Sequence, residues 1–428
     1  MRIRLRRLQF LLAMSVLTAA GLPPCAARAE THEAASLTPE AVWAAIDAAQ
    51  DGDTVQLPAG TAVWSKGWNS GRGAKMKAIT IQGAGIDKTI IGDDRAQPDA
   101  APFFLLGVEG KPFRVTGITL DGTGYRNAGN WGGLMTIRGA CKNFRIDHCK
   151  FKNCDHMLEI DGDTYGLVDH CYFEGLESHG GNVQPVVYSG PGAPNYRKPL
   201  SLGTAEAMYF EDNEVYIAPL AGTGGKRTGN NPWIAPHGGS RVVIRHNKLV
   251  NSQLEIYRPG LNKQYGSQSA EIYDNQFSVA GEGRPQGFIF IGAGVAIVFN
   301  NTVTGTTYNI RVVELRNERA WRDLPSFPKA DGTIPTDGNR IPAGQLGAGY
   351  PCFGQVGWAT NVDGVFKPTP CYAWNNTFNG VPLRMETSRR ADANEAATIK
   401  EGREFFNEKP PAEYYAPYVY PHPLQRGP

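Results

Sequence analysis

The chain has 428 residues, of which 41% are hydrophobic and 20% are charged, and its formal net charge is +2. Five arginines fall within residues 1–29, so the rest of the chain has a formal net charge of −3 and lacks the basic excess typical of nucleic-acid binding. The 51 glycines and 30 prolines indicate many turns and a thin apolar core.

Residues 1–29 have the pattern of an export signal. Four arginines in the first seven residues precede an apolar stretch at 10–22, which is too short to span a bilayer. Ala27-Arg28-Ala29 is a small-x-small cleavage site, and we expect cleavage after Ala29. Cys25 allows a lipoprotein anchor as an alternative, although two prolines precede it where small residues are expected. We predict a secreted or periplasmic protein without a transmembrane segment.

An amphipathic helix is predicted at the start of the mature chain. Thr38 is a suitable N-cap, Pro39 fits the first helical position, and Val42 and Ile46 recur at helical spacing. Residues 30–50 are therefore expected to form an N-terminal segment with a capping helix. Such a cap would cover the first of the stacked repeats, because an open end exposes apolar core and unpaired strand edges.

Seven six-residue windows share one pattern, with an apolar first residue, a polar pair, Cys or Asn at the fourth position and an apolar last residue. They are 146–151 (IDHCKF), 168–173 (VDHCYF), 210–215 (FEDNEV), 244–249 (IRHNKL), 272–277 (IYDNQF), 298–303 (VFNNTV) and 373–378 (AWNNTF). Most steps between fourth positions fall in the range of stacked structural repeats. Residues 54–60, 79–85 and 113–120 read as earlier coils. The pattern predicts one elongated solenoid domain over residues 51–380.

The windows indicate strands and turns. Short β-rich runs are broken every few positions by Gly, Asn or Asp, whereas a helical repeat would show apolar residues at a spacing of about 3.6. Asn tolerates the left-handed backbone of a tight bend, and stacked copies can pair amide to amide. We expect an asparagine ladder with Cys149 and Cys171 as its first two rungs. The alternative is a β-sandwich, whose turns would fall roughly every 8–12 residues.

Insertions and the chain end complete the predicted organisation. Residues 179–203, 219–232 and 317–350 are rich in Gly, Pro and Asn and are too long for simple turns. They are predicted loops that frame one functional face of the solenoid. Residues 381–428 are predicted to form an extended C-terminal tail packed on its outside.

Six cysteines remain after signal cleavage, and an exported protein can form disulfides. Cys352 and Cys371 bracket a loop and are the predicted bridge. The other four lie within one or two coils and are interpreted mostly as buried thiols, with their connectivity left open. These four are Cys141, Cys149, Cys154 and Cys171.

With these features assembled, the chain resembles the right-handed parallel β-helix proteins of the pectate-lyase-like superfamily. It looks like a group of exported bacterial β-helix repeat proteins marked by a GYPC element, here Gly349 to Cys352, and a terminal YPHPL, here Tyr420 to Leu424. The resemblance covers nearly the whole mature chain. It implies an all-β, single-stranded right-handed parallel β-helix with an N-terminal capping helix and long loop insertions. It leaves the chemistry open, because the superfamily includes lyases, hydrolases, esterases, epimerases and phage spikes.

The better-known catalytic signatures of that superfamily are missing. His179-Gly180 and His237-Gly238 resemble part of the GHG element of the polygalacturonase-type hydrolases, but without the accompanying Asp pairs and RIK element. The WxDH and RxPxxR signatures of pectate lyases are absent, although Tyr257-Arg258-Pro259-Gly260 lies at a comparable kind of place. The NGGE, KSS and RSGSH-like elements of alginate and chondroitin lyases are also absent. None of these signatures therefore identifies the site residues, and the local strand pattern is the remaining guide.

Strand alternation provides a candidate face. The segments 156–162, 232–238, 253–260, 287–294 and 309–313 are predicted to stack roughly 5 Å apart in neighbouring coils. Alternation directs one set inward: Leu158, Ile160, Ile234, Leu254, Ile256, Ile289, Ile291, Ile310 and Val312. It directs another set outward: Glu159, Asp161, Trp233, His237, Glu255, Tyr257, Phe288, Phe290 and Arg311, with Arg258 near a strand end. A slip of one residue would exchange the two sets.

The leading hypothesis is a lyase that cleaves an acidic, uronate-containing glycan by β-elimination. The sugar carboxylate must be neutralised so that the adjacent C5 proton becomes acidic, and a base must then remove that proton. Arg258 and Arg311 are candidates for neutralising the carboxylate, and His237 and Tyr257 are the candidate base and acid. The competing interpretation of His237 is an ordinary turn residue beside glycines.

The carboxylates of this face allow further interpretations. Glu159 and Asp161, with Glu255, are candidate ligands of a Ca²⁺ that would neutralise the substrate carboxylate. A glycoside hydrolase is an alternative, since hydrolysis needs two carboxylates about 5 to 10 Å apart, and Glu159 or Asp161 with Glu255 would supply them. Glu255 is therefore placed among the candidate catalytic residues. The competing interpretation of Glu159 and Asp161 is a solvated strand surface.

The aromatic residues Trp233, Phe288 and Phe290 are predicted to bind substrate sugars. The alternative for the two phenylalanines is packing beneath the 317–350 loop. The same aromatics and acids would also suit a second class of function, a non-catalytic glycan-binding or surface-adhesive solenoid. In every case a polysaccharide is the expected partner and a monomer is the expected state.

Overall fold

The computed structural model describes residues 28–65, 74–94, 101–122, 133–154, 156–176, 182–185, 199–218, 232–256, 266–279, 288–306, 308–312, 351, 355–360, 366–387, 398–408, 410–411 and 415–427. These residues form strands and turns with one α-helix and one short 3₁₀ helix. None of their helices is long and apolar enough to cross a membrane.

The helix α1 spans Pro39–Ala48 and the 3₁₀ helix spans Pro423–Arg426. The first strands are β1 (Thr31–Glu33), β2 (Thr54–Gln56), β3 (Gly60–Trp64), β4 (Ala74–Lys75), β5 (Thr80–Gln82), β6 (Thr89–Asp93), β7 (Phe103–Gly107), β8 (Arg114–Thr116), β9 (Thr119–Asp121), β10 (Met135–Gly139), β11 (Lys142–Asp147) and β12 (Lys150–Lys152). The middle strands are β13 (His156–Gly162), β14 (Tyr165–Asp169), β15 (Tyr172–Leu176), β16 (Asn182–Pro185), β17 (Met208–Glu211), β18 (Glu214–Ala218), β19 (Pro232–Ile234), β20 (Arg241–Arg245), β21 (Lys248–Val250), β22 (Gln253–Ile256), β23 (Ser269–Tyr273) and β24 (Gln276–Val279). The last strands are β25 (Phe288–Ile291), β26 (Val295–Phe299), β27 (Thr302–Gly305), β28 (Asn309–Val312), β29 (Trp358–Thr360), β30 (Phe366–Pro368), β31 (Cys371–Trp374), β32 (Thr377–Phe378), β33 (Val381–Pro382), β34 (Met385–Thr387) and β35 (Phe405–Asn407).

Three long sheets are built by strands that recur in turn along the chain. The first sheet has the order β1-β2-β5-β8-β11-β14-β17-β20-β23-β26-β31-β35, the second β3-β6-β9-β12-β15-β18-β21-β24-β27-β32-β33, and the third β4-β7-β10-β13-β16-β19-β22-β25-β28-β34. All pairings in them are parallel except β32 with β33, and β29 with β30 forms a separate antiparallel pair. Parallel stacking of successive coils excludes the sandwich alternative and is consistent with a parallel β-helix.

The apolar first residues of the windows stack into one buried column. In the first sheet the register joins, in succession, Val55, Ile81, Val115, Ile146, Val168, Phe210, Ile244, Ile272, Val298 and Ala373. In the third sheet, every residue predicted to point inward is buried, with an exposed fraction of 1% or less. The predicted alternation of the third sheet is therefore confirmed for its core side.

An asparagine ladder runs through the interior beside this column. Its rungs are Asn213, Asn247, Asn275, Asn301 and Asn376. In each of the four successive pairs, Oδ1 of the later asparagine accepts from the backbone N–H (2.9–3.1 Å) and Nδ2 (2.8–3.0 Å) of the earlier one. Cys171 forms an earlier rung, since its N–H donates to Asn213 Oδ1 at 2.9 Å. The expected asparagine ladder and the rung at Cys171 are confirmed, and the rung expected at Cys149 stays a prediction.

The left-handed backbone lies one residue before the position that we expected. The third residue of each window has φ between 49° and 57°, and the residues are His148, His170, Asp212, His246, Asp274, Asn300 and Asn375. The bend has to precede the asparagine, because the fourth side chain must project inward to reach its neighbours in the ladder. The three histidines of this set are therefore turn residues.

The helix α1 begins where its sequence predicts, at Pro39 after the N-cap Thr38, and it ends at Ala48. Thr38 Oγ1 accepts the N–H of Ala41 at 3.4 Å, and Val42 and Ile46 are buried in the main apolar core. At the other end, Lys77 Nζ donates to the carbonyl of Ile46 at 3.2 Å, which places a cation at the helix C-terminus. The C-terminal end of the helix is thus anchored to the first coils.

Residues 415–427 lie against the outer face of the first sheet. The guanidinium of Arg245 donates to the carbonyls of Tyr418 and Val419 at 2.7 and 2.9 Å, and it lies 5.3 Å from the ring centroid of Tyr420. The same guanidinium forms a fully buried ion pair with Glu211 at 2.6 Å. Hydrogen bonds from the buried guanidinium of Arg245 therefore hold residues 415–427 against the first sheet.

Candidate functional site

The outer face of the third sheet brings together polar residues from successive coils. The register aligns Thr136 with Glu159, Arg138 with Asp161, and then Glu255 with Phe290, Arg311 and Glu386. We call these residues the third-sheet face. They alternate along their strands with the buried inward set and so lie on the opposite side of the sheet from the core. Thr136 and Glu255 are themselves buried, with 1% and 7% of their surface exposed, whereas the other residues of the face are partly exposed.

Arg138 connects two carboxylates at one end of this face. Its Nε lies 2.8 Å from Asp161 Oδ2, and its Nη2 lies 3.8 Å from Glu159 Oε1. Both strands end at a glycine, Gly139 and Gly162, with φ of 129° and 93°. A Cβ on Gly162 would lie 2.1 Å from the carbonyl oxygen of Gly139, so only glycine allows the two corners to stack this closely. The stacked glycine corners keep residues 136–138 in register with residues 159–161.

Glu159 is the most perturbed carboxyl of the face. Burial raises the pKa of Glu159 to about 7; the Arg138 cation opposes this rise and the Asp161 carboxylate adds to it. The side chain keeps 16% of its surface exposed, so a ligand can reach it. A carboxyl with a pKa near neutrality can both accept and donate a proton at physiological pH, as general acid–base catalysis requires.

The rest of the face extends across the sheet. Neighbouring strands lie about 5 Å apart, so Glu255 and Arg311, two strands apart, are separated by about 10 Å, and Glu159 and Glu255, three strands apart, by about 14 Å. The strip from Glu159 to Arg311 is about 24 Å long by the same spacing. This length suits an extended polymer better than a small molecule.

Trp233 does not lie on this face. It is fully buried, and its ring packs against Phe173 and Phe210 with centroid distances of 5.5 and 5.8 Å. The register between β19 and β22 shifts between Pro232 and Ile234, and this bulge turns the intervening tryptophan into the core. The prediction of Trp233 as an outward sugar-binding residue is wrong.

His237 is buried at a turn. Its carbonyl accepts the N–H of Ser240 at 3.0 Å, and Gly238 and Gly239 follow it with φ of 63° and 79°. Only 6% of the residue is exposed. The geometry favours the interpretation as a turn residue over that of a surface base.

Several predicted residues fall outside the described part of the chain. Tyr257, Arg258 and Cys352 are among them, and of Phe288 only the backbone is described. Their roles stay predictions. Cys371 is a buried free cysteine in the structure, and burial raises its pKa to about 12. The predicted disulfide is therefore not observed.

The predicted Ca²⁺ ligands are not gathered around one point. No group of three His, Cys, Asp or Glu side chains within the described residues could hold a metal. Glu159 and Asp161 face the Arg138 cation, and Glu255 lies three strands away. The described residues are therefore not arranged around a Ca²⁺. Ca²⁺ binding stays a prediction, and no step below depends on it.

Arg138 and Glu386 complete the face but are not among the residues predicted for it. A signal for Arg138 exists in the sequence, because TIRG at 136–139 and EIDG at 159–162 share one pattern, and stacking them places Arg138 beside Asp161. Glu386 follows a long insertion, so spacing alone does not align its strand with β28.

Comparisons with known proteins give one weak similarity. No protein-family model matches the chain, and no curated protein matches it. Among solved structures, the chain is similar to an alginate lyase from Paenibacillus sp. str. FPU-7, with a TM-score of 0.36 and 12% identity, covering 84% of this chain and 98% of that chain. A similarity of this degree supports no conclusion about the chemistry of this chain.

Proposed function

We propose that the chain is an exported, polysaccharide-active right-handed parallel β-helix protein of the pectate-lyase-like kind, and that it cleaves an acidic, uronate-containing glycan by β-elimination. The three parallel sheets support the fold, and connections between parallel strands are right-handed in nearly all proteins. The helix α1, packed into the core beside β1, suits a cap over the first coil.

One observation carries the chemical proposal: Glu159, with its pKa raised to about 7, lies beside Arg138 on a long ionic face. Arg138 is half-exposed, so its guanidinium can turn to a uronate carboxylate. Neutralising that carboxylate acidifies the C5 proton of the sugar. Arg311 and Phe290, further along the face, would hold other units of the same polymer.

The proposed step needs a single proton-transfer group. Ionised Glu159 removes the C5 proton, the C5–H electrons form the C4=C5 double bond, and the C4–O4 bond breaks. The protonated Glu159 then gives that proton to O4 of the leaving chain, so the carboxylate is regenerated. A pKa near 7 suits a group that must perform both transfers.

Glycoside hydrolysis is the second candidate. Glu159 and Asp161 lie on the same side of β13, two residues apart, which corresponds to about 7 Å along the strand and falls within the separation used by glycosidases. Glu159 would be the general acid and Asp161 its partner. Arg138 contacts both carboxylates, and a cation placed there favours elimination on an acidic sugar.

A product screen with matched variants separates these possibilities. The mature protein is incubated with polyuronates and neutral glycans, and both ultraviolet absorbance and reducing ends are followed. We expect rising absorbance from an unsaturated uronate, lost in Glu159→Gln and retained in Glu386→Gln, a carboxyl of the same face. Release of reducing ends without a rise in ultraviolet absorbance would indicate hydrolysis instead of elimination. Binding of a glycan without formation of any product would indicate a glycan-binding role in place of either reaction.

A further inference from the structure

The last of the seven windows, 373–378, borders a cavity at the end of the sheet stack. The cavity has a volume of about 370 Å³, within the range of small-molecule pockets, and its walls come from the window, from residues 382–384 and from residues 407–408. It lies on the final coil, whereas the third-sheet face runs along the side of the stack. It therefore does not belong to the site proposed above.

An aromatic column ends in this cavity. Tyr273, Phe299 and Trp374 occupy equivalent positions of successive strands, with ring centroids 4.6 and 4.4 Å apart and interplanar angles of 11° and 2°. In the next coil the register of β31 with β35 brings Glu408 to the equivalent position. Trp374 thus packs one ring face on Phe299 and lines the cavity, which is the arrangement of a platform for a flat, partly apolar ligand.

The asparagine ladder ends in the same cavity. In each earlier rung the backbone N–H and Nδ2 donate to the Oδ1 of the following asparagine, and Asn376 is the final rung of the described chain. Continuing the register of Ala373 with Asn407 brings Pro410 to the next rung, and proline has no side-chain amide. A ligand oxygen at that place would accept the hydrogen bonds that Oδ1 accepts elsewhere in the ladder.

The rim of the cavity carries charge of both signs. Arg384 lies 2.6 Å from Glu408 Oε1 and 2.9 Å from Glu401 Oε1, so its positive charge is already matched by two carboxylates. An additional anion would meet a net negative rim, whereas sugar hydroxyl groups can both donate and accept there. The rim favours a neutral ligand.

We propose that this cavity is a second saccharide site that binds a neutral pyranose, stacked on Trp374 and hydrogen-bonded to Asn376 and Glu408. The site does not depend on the proposed elimination. A protein with both sites would hold a neutral sugar unit at the end of the stack while the third-sheet face engages the acidic part of a glycan.

The test is ligand-observed NMR on the mature protein with methyl pyranosides of glucose, galactose and mannose and the methyl glycoside of glucuronic acid. We expect saturable binding of at least one neutral pyranoside, with at least tenfold weaker binding of the glucuronide. Trp374→Leu is expected to weaken binding at least tenfold, and the exposed Glu408→Gln is expected to weaken it without altering the Tm. Tyr216→Leu, at an exposed aromatic of the second sheet, is the matched control and should bind as the parent does.

Binding that is unchanged in both Trp374→Leu and Glu408→Gln would overturn the proposal, as would a lack of saturable binding by every neutral pyranoside. Stronger binding of the glucuronide would overturn the assignment of a neutral ligand. Glu159→Gln separates the two sites, because it should abolish elimination while leaving pyranoside binding unchanged.

Discussion

The outer faces of the first and third sheets arise from the same strand alternation but use charge differently. On the first sheet, Arg245 and Glu211 lie 2.6 Å apart with no exposed side-chain surface, and residues 415–427 lie over them. On the third sheet, Glu159 keeps 16% exposure and its Arg138 partner is 3.8 Å away. Charges locked into buried pairs act on stability, whereas a partly covered carboxyl with a raised pKa is available for chemistry.

The largest expected effect tests whether the buried ion pair on the first sheet stabilises the fold. Arg245→Met leaves Glu211 as a buried charge without its ion pair and removes the donors to Tyr418 and Val419. We expect a loss of about 3–5 kcal/mol in the free energy of unfolding, measured by denaturant titration, and faster proteolysis of the C-terminal residues. The control is Arg384→Met, an exposed arginine whose ion pairs are screened by solvent, so this variant should change the free energy of unfolding far less than Arg245→Met does. An equal loss of stability in the two variants would contradict the proposed difference between buried and exposed ion pairs.

The next effect concerns the ladder that both faces share. Asn275→Ala removes the Oδ1 that accepts from the N–H and Nδ2 of Asn247 and the Nδ2 that donates to the Ile244 carbonyl. Because these groups are buried, we expect a loss of about 3 kcal/mol in the free energy of unfolding. Thr302→Ala, at an exposed position of β27, is the control and should change it by less than about 0.5 kcal/mol. A small effect at Asn275 would show that the ladder does not stabilise the stack.

A pH effect of about 2 kcal/mol should follow from Glu271 beneath the C-terminal residues. Burial raises the pKa of Glu271 to about 7, against the opposing effect of hydrogen bonds from the Gly203 N–H and the Tyr415 hydroxyl. The native state therefore holds this proton more tightly than the unfolded chain does. The contribution is fully present below about pH 4.5 and is lost as the pH rises through about 7. The raised pKa of Glu159 changes the free energy of unfolding with pH in the same direction.

The measurement for this pH effect is the free energy of unfolding at about pH 5.5 and about pH 8.5. We expect the change in the free energy of unfolding between these two pH values to favour the lower pH by about 2 kcal/mol more in the parent than in Glu271→Gln. The same pH dependence in the parent and in Glu271→Gln would be incompatible with a protonated Glu271 in the native state.

The smallest effect separates the two candidate reactions. Asp161→Asn removes a carboxylate that raises the pKa of Glu159 and leaves Arg138 to interact with Glu159 alone, so that pKa should fall. In an elimination, the acid limb of the pH–rate profile moves to lower pH by up to about one unit while turnover persists. In a hydrolysis that uses both carboxylates, the same variant loses activity at every pH.

Much of the architecture is readable from the sequence because its signals are local. The window pattern predicts the buried column from Ile146 to Ala373, and the fourth-position asparagines predict the ladder. The candidate site is less readable because it depends on pairings between coils. The bulge at β19 moves Trp233 into the core, although its segment has the same alternation as its neighbours. Arg138 and Glu386 enter the face through register that no single strand reveals.

The most direct test of the contrast between the two faces is the titration of Glu159 itself. Side-chain carboxyl resonances of the mature protein, recorded across the pH range, are assigned by comparison with Glu159→Gln. The account predicts a pKa of about 7 for Glu159, and in Arg138→Met a still higher value, because the opposing cation is removed. A pKa near the ordinary value of 4.5 would contradict the account, since Glu159 would then be a permanently ionised surface carboxylate.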